Sequence, residues 1–292
     1  MSPIHHSRLV ETVGIGPFIT RGILTHPGKP ARVWLSRHHR KRLANPERSK
    51  AEATLKLLLR CLWLPSHLNW WIGVIFAVGA SCFGMASTLI LFPSLAAEIA
   101  ISEAGINRIF FAGSIPFSIA AWLQLYQAAN AAPLPTSEDT TKTEHRIRLI
   151  GWRPDEIGWV SCALQFIGTL LFNINTFNAM SSSLTWVQID LWVWIPNVIG
   201  SILFLASGYL AFIEAGHSLW SWPHANLSWW IVFINLLGCI GFMISALFAP
   251  LFSETPNPLA TTVSVFCTLL GAICFFVGSL LMLPETAVQE VI

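Results

Sequence analysis

Six stretches of the chain, about 68–92, 106–129, 157–180, 190–213, 227–250 and 260–283, are apolar almost without interruption, and polar residues gather between them. A helix rises 1.5 Å per residue and a bilayer core is roughly 30 Å thick, so about 20 such residues are enough to span it. Lipid offers no partner to backbone N–H and C=O groups, and the runs are continuous rather than alternating, which predicts helices and not barrel strands. The expected fold is all-α, a polytopic membrane protein with six transmembrane helices.

A second pattern lies within the runs. Tryptophan, glycine and phenylalanine recur at the same spacing in Trp70/Gly79/Phe83, Trp159/Gly168/Phe172 and Trp229/Gly238/Phe242. The run that follows each triad carries a Gly-Ser pair, at Gly113-Ser114, Gly200-Ser201 and Gly278-Ser279. This predicts three two-helix repeats. Residues four apart share a helix face, and glycine lets a neighbouring backbone approach, so each repeat is expected to be a tight helix pair. The resulting division is a basic segment over 1–66, helix pairs over 67–129, 157–213 and 227–283, a linker over 130–156 and a tail over 284–292.

Composition agrees with a lipid solvent: 54% of residues are hydrophobic, 11% are charged, and the mean hydropathy is +0.60. Seven tryptophans, Trp70, Trp71, Trp159, Trp192, Trp194, Trp229 and Trp230, fall near helix ends, where such rings favour the headgroup level. Six cysteines show neither a C-x-x-C pair nor zinc spacing. No cleavable signal peptide is expected, because the first apolar run begins late and is long enough to span.

The net charge of +2 conceals an uneven distribution, with twelve of the seventeen Lys and Arg ahead of the first apolar run. Lys142, Arg146, Arg148 and Arg153 lie between the second and third runs. The positive-inside bias predicts a cytoplasmic amino terminus and, after six spans, a cytoplasmic carboxyl terminus, in the cell inner (plasma) membrane. Arg37, Arg40, Lys41 and Arg42, with His38 and His39 among them, form a basic cluster expected to face anionic lipid, and residues 51–64 read as an interfacial helix. A nucleic-acid partner is not expected without a binding fold.

No run has a charge at its centre, which argues against a proton pump, a voltage sensor or a charge-coupled carrier and leaves passage of neutral molecules open. The polar groups inside the runs are amides. Asn173 and Asn175 near the end of the third run, Asn197 early in the fourth and Gln165 in the third are the candidate ligand-binding residues; Gln124, Gln127 and Asn235 are further amides within the runs. They either line a polar path or join helices by hydrogen bonds.

Catalytic signatures are weak. Gly79-Ala80-Ser81-Cys82 matches the G-x-S-x element of rhomboid proteases, but all nine histidines lie outside the runs, leaving the serine without a base. Glu214 and His217 have an i, i+3 metal spacing but lack the further ligands a site needs. No cofactor, metal or enzymatic activity is expected.

The Trp70-Trp71-Ile72 opening, the following Gly79 and the Phe110-Phe111-Ala112-Gly113-Ser114 element resemble the two-helix YrhK-like domain of bacterial membrane proteins. The likeness covers about 68–129 and again about 227–283, where Trp229-Trp230-Ile231 and Phe275-Phe276-Val277-Gly278-Ser279 are the counterparts. The resemblance implies a multi-pass membrane protein of a family without an established activity, and it transfers no site residue. Two functions stay open: a non-enzymatic structural, stress-related or partner-binding membrane protein, or a transporter or channel for a small neutral solute.

Overall fold

In a computed structural model of the chain, residues 8–26, 28–43, 60–132, 147–223, 225–249 and 257–287 are described. Six helices are long and apolar enough to cross a membrane. They are α2 (Leu68–Leu91), α4 (Glu103–Ala129), α5 (Ile157–Asn178), α7 (Ile195–Gly216), α8 (Leu227–Phe248) and α9 (Pro258–Ala287). Short helices α3 (Pro93–Glu98) and α6 (Trp186–Ile189) lie in the connections, and a π turn over Asp190–Trp194 joins α6 to α7. α9 runs past the expected boundary at 283, so Glu285 is helical rather than part of a tail.

The spanning helices form a closed ring, each packing on its two neighbours in the order α2, α4, α5, α7, α8, α9 and back to α2. Three of these contacts are hairpins, and in each a pair of glycines brings the backbones together. A Cβ on Gly79 would come within 2.9 Å of the Gly113 carbonyl oxygen, on Gly168 within 3.2 Å of that of Gly200, and on Gly238 within 3.2 Å of that of Gly271. The third pair uses Gly271, not the Gly278-Ser279 expected from sequence. Gly278 faces the side chain of Asn235 instead. In this register all six helices carry Gly-x-x-x-Phe, ending at Phe83, Phe117, Phe172, Phe204, Phe242 and Phe275.

Those six rings are buried and meet in one layer across the ring of helices. Centroids are 5.4 Å apart for Phe83 and Phe117, 4.9 Å for Phe172 and Phe204, and 5.4 Å for Phe242 and Phe275 within hairpins. Between hairpins, Phe83 and Phe172 reach Phe242 at 6.1 and 6.0 Å, and Phe117 and Phe204 reach Phe275 at 5.8 and 5.9 Å.

The repeated tryptophans are not at a lipid surface. Trp70, Trp159 and Trp229 are 4%, 6% and 0% exposed, because each ring is covered by a second tryptophan seven positions earlier: Trp63, Trp152 and Trp222. The indole N–H of Trp70 donates to the Cys61 carbonyl and that of Trp159 to the Ile150 carbonyl, nine positions back in both cases. These contacts tie the start of a spanning helix to the chain leading into it.

Residues 8–35, within the basic segment where the sequence predicts only an interfacial helix over 51–64, form an antiparallel sheet: β1 (Arg8–Ile15), β2 (Phe18–His26) and β3 (Lys29–Leu35), in that order. Gly16, at φ +57, makes the tight turn between β1 and β2. Leu9, Thr20, Gly22 and Trp34 are buried, and Gly22 leaves the space that Leu9 fills. The last strand runs directly into α1 (Ser36–Lys41), which stops at Arg42 in the left-handed region, φ +55. Most of the expected interfacial helix over 51–64, and most of the linker over 130–156, lies outside the described residues; Arg60 and Cys61 are helical.

Candidate functional site, an axial path under a basic helix

The ring encloses two cavities, one on each side of the phenylalanine layer. The larger, about 210 Å³, contains Asn107, Asn175, Thr176, Asn197, Ser245 and Thr268 in its lining. The smaller, about 60 Å³, contains Gln124, Ser161, Gln165, Ser207, Asn235 and Ser279. All six spanning helices contribute to each, which puts both on the ring axis, and Phe204 lines both. The larger lies toward the ends of α2, α5 and α8, the smaller toward their starts, beside α1.

The amides singled out in the sequence therefore divide. Asn175 and Asn197 share the larger cavity, while Gln165 joins Asn235 in the smaller one. Asn173 lines neither. Its amide donates to Ser118 Oγ at 2.8 Å and so ties α5 to α4. Hydroxyls join helices beside both cavities: Ser161 and Ser207 each donate to the other's backbone carbonyl, at 2.9 and 2.7 Å, and Thr176 donates to Ser114 Oγ at 3.1 Å.

The mouth of the smaller cavity is where sequence and structure differ most. Arg37, Arg40 and Lys41, expected at the lipid surface, are 6%, 5% and 4% exposed and point into the ring. The correction has an electrostatic cause. Arg40 Nη2 lies 2.6 Å from Glu214 Oε2, Lys41 Nζ 2.9 Å from Glu285 Oε2, and Arg37 Nη2 3.4 Å from Glu285 Oε1. Arg42, one residue on, is exposed. α1 is thus a basic plug held by two carboxylates at the ends of α7 and α9.

Hydroxyls complete both pairs. Ser36 Oγ donates to Glu214 Oε1 at 2.8 Å, and Ser228 Oγ donates to Glu285 Oε1 at 2.6 Å. With its proton engaged, Ser228 Oγ accepts from His38 Nε2 at 3.1 Å, which assigns His38 the neutral Nε2–H form. Burial, joined by Arg37 and Lys41, lowers His38 to about 4 against the opposing pull of Glu285 and Glu214. Burial and Arg37 likewise push Lys41 down to about 8, whereas Arg40, although burial disfavours its charge, is held above its ordinary value by Glu214.

Glu214 and Glu285 each stand ten positions after the phenylalanine of their helix, and the corresponding residue of α4 is Gln127. Gln127 Oε1 is buried without a partner among the described residues. On the facing helices, the position before each buried tryptophan holds Asn69, Gly158 and Ser228. A Cβ at Gly158 would overlap Arg40 Nε and Glu214 Oε1, so that glycine is what admits the ion pair.

The spacing of Glu214 and His217 does not make a metal site, since Arg40 and Ser36 occupy the carboxylate. Among the described residues no group of three or more His, Cys, Asp or Glu is placed to hold an ion. No family model matches the chain, and no curated protein or solved structure matches it.

Proposed function

We propose that this six-span membrane protein moves a small polar solute along the axis of its helix ring, with α1 as the stopper at one end. The observation that carries the reading is the axial arrangement: two cavities, each lined by all six helices and each bearing amides and hydroxyls in a mainly apolar wall, separated by one layer of phenylalanines. An apolar constriction can gate by excluding water while polar groups on either side offer hydrogen bonds. Internal repetition is common in such proteins. The shared Gly-x-x-x-Phe and the matched positions Gln127, Glu214 and Glu285 support descent of the three hairpins from one two-helix unit.

The strong Lys and Arg bias supports a basic end, with both termini, on the cytoplasmic side, and the bacterial inner membrane is the setting that the YrhK-like resemblance implies. That resemblance contributes no residue to the path. Apart from the bilayer no partner is invoked, and no enzymatic step is assigned. A purely structural or partner-binding role, the other function open from sequence, would leave the two cavities without use.

Purified protein in vesicles tests this by stopped-flow measurement of small-solute flux. Phe204→Ala, which removes the ring common to both cavities, is expected to raise flux above that of the wild type. If neither protein moves any small polar solute faster than protein-free vesicles, while both insert and remain monodisperse, the structural role replaces the path.

A further inference from the structure

Three cations of α1, Arg37, Arg40 and Lys41, line the smaller cavity, and among the described residues two carboxylates, Glu214 and Glu285, are paired with them. The nearby Arg153 is matched by its own Glu156. Among the described residues the cations lining the cavity thus outnumber the carboxylates bonded to them by one, Asp155 and Glu156 standing near Arg40 but outside that lining, and an uncompensated charge walled by spanning helices is strongly unfavourable. Arg37 is also incompletely bonded. Its Nη2 contact to Glu285 is long, at 3.4 Å, and its Nε–H is buried with no acceptor among the described residues.

The rest of the lining suits a negatively charged guest. Gln124, Gln165 and Asn235 carry amide N–H groups and no carboxylate lines the cavity, while the hydroxyl protons of Ser207 and Ser279 are taken by the Ser161 and Phe275 carbonyls. A single water takes about 10–15 Å³ of such space. At about 60 Å³ the cavity accommodates a small monovalent anion with a few waters, and it is too small for a sugar or an amino acid.

We infer that the cavity beneath α1 is a binding site for a small monovalent inorganic anion, held by Arg37, Arg40 and Lys41 and by the amides of the ring. This rests on the axial-path reading and narrows its solute to an anion. Bound there, the anion balances the third cation and gives Arg37 Nε–H an acceptor. Lys41, pushed down to about 8 in the empty site by burial and by Arg37, is expected to regain its proton affinity when the anion binds.

The test is thermal melting of the purified full chain in detergent at constant ionic strength, with chloride exchanged for gluconate, which does not fit. Chloride is expected to raise Tm saturably and gluconate to leave it unchanged. Arg37→Gln leaves two cations for two carboxylates and is expected to weaken the apparent chloride affinity about tenfold or more. Should that variant fail to insert, Lys41→Gln removes a cation from the same cavity while Arg37 still faces Glu285. The absence of a saturable chloride effect in the wild type, or its full survival in the charge-removed variant, would overturn the site. Chloride binding without flux of any solute in vesicles would keep the site and remove the path; flux of neutral polar solutes without chloride binding would do the reverse.

Discussion

Glu214 has 0% exposure and is held by Arg40 and Ser36, so the value of the pair lies in keeping both charges matched. Removing one partner of a buried pair costs about 3–5 kcal/mol, whereas replacing both by apolar groups is often neutral. Glu214→Gln is therefore expected to lower thermal stability in detergent strongly, and the double variant Arg40→Met/Glu214→Leu to recover most of the loss. A double variant no more stable than the single would show that the pair is not the main contact. The glycines make a second residue-scale prediction. A Cβ on Gly168 would sit 2.7 Å from the Phe204 ring, while one on Gly84 meets nothing within 4 Å. Gly168→Ala should destabilise by about 1–3 kcal/mol through forced separation of α5 and α7. Gly84→Ala should be neutral or slightly stabilising. Equal melting temperatures for the two variants would contradict the close-packed hairpin.

Among the elements, α1 has six residues and is held mainly by what its side chains reach. His38 faces Glu285, Arg37, Lys41 and Glu214, and its ordinary value of 6.5 falls to about 4 when α1 is docked. Between those values the released helix binds a proton that the docked helix does not. Docking is thus unweakened by His38 above about pH 6.5 and loses stability as pH falls toward 4, the loss reaching about 2 kcal/mol at pH 5. Backbone amides of residues 36–41 should exchange hydrogen faster at pH 5 than at pH 7 after correction for intrinsic rates. His38→Gln should abolish the difference, and an unchanged ratio in the wild type would rule His38 out as its source. The plug was not legible in the sequence, because a run of Arg, His and Lys before an apolar segment reads as a surface feature. Its partners stand at helix ends, where single acids are ordinary. The useful signal was register: Glu214 and Glu285 match only when Phe204 is aligned with Phe275. The more conspicuous Gly278-Ser279 drew the alignment seven residues away. The strands were hidden for a related reason, since the few residues that bury one face, such as Leu9 and Trp34, are spread over three short segments with charged residues between them.

At the scale of the whole molecule, the six spans were legible because length and hydropathy alone define them, whereas ring closure depends on which faces meet. Nothing in the runs announces that α9 returns to α2, a contact made by Gly73 against the Ser279 carbonyl and by Asn69 against Thr286 Oγ1 at 2.7 Å. The closed ring with α1 docked predicts that Cys162, buried beneath Arg40, is shielded from water-soluble maleimide. In a chain retaining only that cysteine, Glu214→Gln/Glu285→Gln should release α1 and accelerate labelling about tenfold or more, as loss of two buried charge partners implies. Labelling that is equally fast in both proteins would mean that α1 does not cover the cavity. Ring closure also bears on the order of biosynthesis. Glu285 belongs to the sixth spanning helix, translated well after Arg37 and Lys41, so their meeting must await synthesis of every intervening helix. A nascent chain halted after α8 would keep those cations in water, and the arrival of α9 is thereby registered at α1.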